Sequence, residues 1–208
     1  PPASPGNGTI GFQLHDPALD TLHPLQLAYI QSYVTAFENA LAGANYTDPV
    51  QGYAPFIDIQ SFIDFFLANE MTKNVDGYRI SSFLYKQRFS EGGKLVAGPL
   101  WDFNIALGNA NYCQGNTTSG WAKNFNSICG GAQLIPFWWN RLFSDSTFAN
   151  LTHCRWLELR QGPLSDTVVM STIDSLAAVL QGPAQRHFIR WPILGTYVWP
   201  NNFIGQTF

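Results

Sequence analysis

A helix that has to be covered on nearly all sides runs from Asp58 to Lys73, in DIQSFIDFFLANEMTK. Its apolar residues Ile59, Phe62, Ile63, Phe66, Leu67 and Met71 recur at helical spacing. The stripe is wide, so the segment belongs inside a core rather than on a surface. Asp58 suits the N-cap, where its carboxylate can accept an orphan backbone N–H. At the far end the chain enters NVDGY, in which Gly77 permits an abrupt change of direction.

The next segment reads as a hairpin. SSFLYKQR and KLVAGPLW have strand character and are joined by FSEGG, whose paired glycines suit a turn. Pro99 cannot donate to a ladder and so marks an edge or the end of pairing. Before the buried helix, Pro24 to Leu41 carries Leu27, Ile30, Val34, Phe37 and Leu41 on one stripe, with Pro24 in the first turn and Gly43 at the exit. Residues 1–20 are rich in Pro, Gly and Asn and read as an extended arm or linker. After a long polar loop, LIPFWWNRLFSDSTFANLTHCRWLELR predicts two helices broken near Ser144 to Ser146. LSDTVVMSTIDSLAAVLQG predicts another, capped by Ser165 or Asp166 and stopped by Gly182-Pro183. From Trp191 onward the pattern is irregular. The order suits a mainly helical α+β unit with one small antiparallel ribbon.

At 208 residues, 46% hydrophobic and 12% charged, the chain can fill one sizeable core. A net charge of −3 argues against a nucleic-acid or anionic-membrane binder, both of which need a basic surface. No apolar run approaches the roughly 18 residues of a membrane-spanning helix. The chain begins at Pro1, which reads as a processed or excised piece. Cys113 and Cys129 flank a polar loop that a disulfide would usefully close, although three reduced thiols fit the composition equally well. Cys154 falls in a helical pattern and reads as a small core residue. No Cys pair has zinc-site spacing. Asn7, Asn45, Asn116 and Asn150 head N-x-[ST] triplets.

Two acids stand out, Asp76 in NVDGY and Asp102 in GPLWDFN, 26 residues apart. A hairpin filling that interval returns the chain to its origin and can bring both carboxylates to one cleft. Asp before Gly is also ordinary turn chemistry, which is the simpler reading of Asp76. An acid between Trp101 and Phe103 is harder to place without a partner. Phosphoryl transfer needs Mg²⁺ held against phosphate oxygens and a carboxylate aligning the attacking hydroxyl, and protein kinases order these parts as buried helix, aspartate loop, two strands and Asp-Phe-Gly.

The stretch SFIDFFLANEMTKNVDGYRISSFLYKQ with GKLVAGPLWDFNIALGN resembles the spore-coat CotH kinase family, particularly its exported, multidomain bacterial members. The likeness continues more loosely to RHFIRW. It implies an atypical protein-kinase fold, with residues 21–208 as its C-terminal lobe, and transfer of the γ-phosphoryl of ATP to protein Ser or Thr with Mg²⁺. Asp76 matches the catalytic-loop aspartate and Asp102 the metal-binding aspartate. Asn104 stands at the glycine of Asp-Phe-Gly, and Asn74 is the other polar fixture of the motif; both are candidates for cofactor contact. An extracellular or cell-surface location follows from the resemblance and favours a Cys113–Cys129 disulfide.

The chain departs from the kinase pattern in two ways. The position five after the catalytic aspartate, usually a metal-binding Asn, is Ser81. No strand with a phosphate-pairing lysine precedes Asp58, the first lysine being Lys73, so the chain taken alone is expected to be inactive. Lys86 and Lys94 read as solvated, and Glu70 as a partner of Lys73 or Arg79. Trp138 and Trp139 read as a packing face, and Arg155, Arg160, Arg186 and Arg190 as scaffold contacts. The four histidines show no ligand spacing. The alternative function is a noncatalytic surface or spore-coat adhesion module on the same scaffold.

Overall fold

Helix α2 (Ile59–Thr72) lies at the centre of the molecule, and the other packed elements are arranged around it. The computed structural model describes residues 10–18, 20–130 and 133–206. Asn7 and the first nine residues of the expected arm lie outside this range; residues 10–18 carry no helix or strand and bend at Asp16 and Pro17, and Phe12 stacks on Trp138 with ring centroids 5.4 Å apart. Asp58 caps α2 as expected, its Oδ1 accepting from Ser61 N at 2.8 Å. Phe62, Ile63 and Phe66 on α2 are each 1% exposed or less, so nearly the whole apolar stripe is covered. Each such burial contributes about 1.5–3 kcal/mol.

Helix α1 (Pro24–Ala42) has Pro24 in its first turn and Gly43 at its C-cap, and its buried Phe37 packs against Phe62 and Trp138. Trp138 and Trp139, on the short α3 (Trp138–Leu142), form the expected packing face, and the Trp138 indole donates to buried Glu38 at 2.9 Å. Helix α4 (Ser146–Gln161) crosses α2, and Arg155 ties the two by donating to both oxygens of Asp64. Asp145 caps α4 through Thr147 N and accepts the Tyr53 hydroxyl at 2.7 Å.

The ribbon is present but short. Strands β1 (Leu84–Lys86) and β2 (Leu95–Ala97) pair antiparallel with Tyr85 opposite Val96. A 3-10 turn at Phe89–Glu91 joins them, followed by Gly92 and Gly93 at φ 105° and 65°. Pairing stops at Gly98, ahead of Pro99, whose missing N–H explains the limit. A parallel bridge between Ile57 and Leu95 anchors β2 beside the start of α2. The α+β reading holds: several helices and one two-stranded sheet.

Three expectations are corrected. Helix α5 (Asp166–Arg190) runs through Gly182-Pro183 instead of stopping there, giving up the one backbone hydrogen bond that Pro183 cannot donate. Cys154 is exposed on the outer face of α4 rather than in the core. Lys86 is half-buried, with its ammonium 4.4 Å from the centroid of the Tyr33 ring, and Lys94 donates to Ala54 O. No single described helix is long and apolar enough to cross a membrane.

Candidate active site

The loop that carries Asp76 is built by the way α2 ends. Lys73 takes a left-handed conformation at φ 48° as the C-cap, which turns the chain sharply out of the helix. Its ammonium donates to Thr117 O at 2.8 Å and Thr117 Oγ1 at 2.9 Å, and also to Ser119 O. Asn74 is fully buried and accepts from Asp76 N through Oδ1 at 3.3 Å. The Asp76 carbonyl then gathers the backbone N–H groups of Arg79, Ile80 and Ser81 at 3.0–3.2 Å. These bonds close residues 74–81 into a compact turn with little freedom.

The Asp76 carboxylate has two side-chain partners. Arg79 donates to Oδ1 at 3.2 Å, and the Tyr112 hydroxyl lies 3.1 Å from each oxygen. The Asp76 side chain is 18% exposed and that of Arg79 only 8%, so the pair is largely shielded from solvent. Burial, then the Asp76 charge, pushes the Tyr112 phenol up to about 12, which keeps it a proton donor.

The hairpin returns the chain to this loop. Asp102, at φ 61°, is exposed and accepts the Ser81 hydroxyl on Oδ2 at 3.3 Å. Ser81 thus touches both acidic residues: its N–H bonds the Asp76 carbonyl and its hydroxyl bonds the Asp102 carboxylate. The two carboxylates make no direct hydrogen bond with each other. Asn104 is exposed and contributes its backbone carbonyl to Asn109 Nδ2 at 3.1 Å, while Asn74 faces inward beside Asp76. Two apolar grooves of about 380 and 420 Å³ flank α2, but neither is lined by Asp76 or Asp102.

The disulfide is formed between Cys113 and Cys129, with Cα atoms 4.9 Å apart. The loop it closes packs against the C-terminal end of α2. Besides the Lys73 contacts, Glu70 accepts from Ala122 N and Lys123 N at 2.8 Å and from the Tyr78 hydroxyl at 2.9 Å. The expected ion pair of Glu70 with Lys73 or Arg79 is therefore corrected: Glu70 caps the 3-10 turn Ala122–Ser127, and Arg79 pairs with Asp76. Arg155 and Arg160 are scaffold contacts, to Asp64 and Asp166 at 2.8 Å.

The donor set suits one Mg²⁺ shared with phosphate oxygens. That ion commonly takes one or two carboxylates, waters and substrate phosphates. Asp102 offers an exposed carboxylate whose only hydrogen bond among the described residues comes from Ser81. A cage made by protein alone does not fit, since no three or more His, Cys, Asp or Glu side chains converge among the described residues.

The family model described as CotH kinase protein matches residues 3–206, nearly the whole chain. The chain belongs to that family. No curated protein and no solved structure matches it. Membership of the CotH kinase family suggests a kinase-like or spore-coat role and, in general terms, ATP and metal use. Within it, the sequence motifs lead to Asp76 and Asp102 but not to Tyr112, which lies in the polar loop with no motif of its own. Ser81 carries a signal, its position five residues after Asp76.

Proposed function

We propose that this chain is the hydroxyl-aligning and metal-holding part, a C-terminal lobe, of a protein Ser/Thr kinase that uses ATP and Mg²⁺. The supporting observation is Ser81, whose N–H bonds the Asp76 carbonyl and whose hydroxyl donates to the Asp102 carboxylate at 3.3 Å, so that one residue links the two acids. Asp76 aligns the acceptor hydroxyl and accepts its proton as the oxygen bonds to the γ-phosphorus and the Pγ–O bond breaks to release ADP. Asp102 would hold Mg²⁺, with Asn104 two residues along the chain as a candidate cofactor contact and Asn74 bracing the Asp76 loop through its bond from Asp76 N; the ion would supply charge neutralisation on the phosphates when bound. The Cys113–Cys129 disulfide supports an extracellular or cell-surface site of action.

Asp102→Ala in the full-length protein tests this. Mg²⁺-dependent phosphoryl transfer from ATP should fall roughly a hundredfold or more while the fold survives. Unchanged biological activity from a folded Asp102→Ala protein would sink the kinase reading and leave the noncatalytic adhesion module in its place.

A further inference from the structure

We propose that Tyr112 is a positioning residue for Asp76, held by the Cys113–Cys129 disulfide and by Trp199 so that a single carboxylate oxygen is left open to an incoming hydroxyl. This rests on the phosphotransfer reading of Asp76. Each carboxylate oxygen offers two lone pairs. The single Tyr112 phenol proton is shared between Oδ1 and Oδ2, 3.1 Å from each, and Oδ1 also accepts from Arg79 at 3.2 Å, so Oδ2 is the less occupied oxygen. A free carboxylate rotates about its Cβ–Cγ bond and presents either oxygen. Bridged by one phenol and pinned by one guanidinium, it presents Oδ2 in a set direction.

Tyr112 can act as a fixed post because three neighbours immobilise it. Cys113, the next residue, is tied to Cys129. The Tyr112 ring stacks on Trp199 with centroids 6.4 Å apart and planes 21° from parallel. Asn111, the residue before, donates its N–H to Pro200 O at 3.0 Å. Arg79 is drawn into the same cluster, its Nη2 lying 3.8 Å from Cys113 Sγ as well as bonding Asp76. The loop also meets the site by close packing: a Cβ added to Gly115 would come within 2.6 Å of Val75 Cγ1, immediately before Asp76. A mobile competitor for Asp76 would not be anchored at the backbone, at the ring and by a covalent neighbour together.

Tyr112→Phe keeps the ring and its stacking and removes only the hydroxyl. In the full-length protein, with ATP, Mg²⁺ and dephosphorylated casein as acceptor, kcat should fall roughly tenfold to a hundredfold. The KM for ATP should stay within about twofold, because Asp102 and not Asp76 would hold the metal of the nucleotide. Hydrogen exchange at the amides of residues 76–81 should quicken, by roughly tenfold, in Tyr112→Phe and in the Cys113→Ser/Cys129→Ser double variant, with α2 still protected. An unchanged kcat, or a rise marking Tyr112 as a plug, overturns the proposal, and so does unaltered exchange in residues 76–81. A wild-type protein without turnover defeats the phosphotransfer reading instead, and the exchange measurement then decides alone whether Tyr112 orders Asp76.

Discussion

Gly77 shows how closely the loop of Asp76 is fitted to α2. A Cβ at this position would lie 1.8 Å from Asn69 Oδ1 and 2.6 Å from Asn69 Cγ, far inside contact distance. Asn69 cannot swing away, being 1% exposed and donating through Nδ2 to Phe65 O at 2.9 Å. Gly77→Ala should therefore destabilise the fold by about 1–3 kcal/mol through overpacking. Asn69→Ala/Gly77→Ala should recover part of that loss, and a double-mutant cycle by denaturant unfolding reads the coupling; additive effects would show that the two residues do not meet. Sequence points to Gly77 as a turn former, yet its backbone does not take a left-handed conformation, so close packing rather than turn geometry calls for glycine. The packing partner is the Asn69 amide, eight residues earlier on the helix, and nothing in the local pattern announces it. The same limit explains Glu70, whose partners at Tyr78, Ala122 and Lys123 are up to 53 residues away.

Elements are legible wherever periodicity and caps agree. Asp58 and Gly43 end their helices where the sequence places them, and the break between α3 and α4 falls at Phe143 to Asp145. Helix α5 outruns its sequence pattern because Gly182-Pro183 carries a stop signal, although helix formers lie on both sides. Pro183 has no N–H to give the Val179 carbonyl and crowds it, which costs a helix interior about 3 kcal/mol. None of α5 is buried, so that cost weighs on local order rather than on the core. Pro183→Ala should slow hydrogen exchange of residues 184–190 by roughly tenfold or more while leaving the global unfolding midpoint within about 1 °C. A marked rise in the midpoint would mean that α5 unfolds together with the core.

The molecule as a whole is organised by α2, whose stripe already marks it as interior, and by a loop whose importance is not legible in the sequence. Composition marks residues 113–129 as polar and therefore as surface, yet this loop satisfies Lys73 and Glu70 at the end of the central helix. Glu70 is where burial and hydrogen bonding oppose each other. Three donors favour its carboxylate, but desolvation outweighs them and raises its pKa above the usual glutamate range. A raised folded-state pKa means that the folded protein binds this proton more tightly than the unfolded chain does. Its stabilising contribution is complete below the ordinary glutamate pKa and is lost as pH rises through the raised value. Asp48, lowered by the Gln51 and Val50 amides, slopes the opposite way and cancels when wild type is compared with Glu70→Gln. The substituted amide would turn a donor toward a backbone N–H, so the variant should be less stable by about 1–3 kcal/mol. The stability difference, measured by urea unfolding at steps from pH 3.5 to about 7, should be largest at the acid end and shrink as pH rises. A difference that grows with pH would mean that the three donors prevail over burial, and that the carboxylate is held in its charged form as the pin between α2 and the disulfide loop.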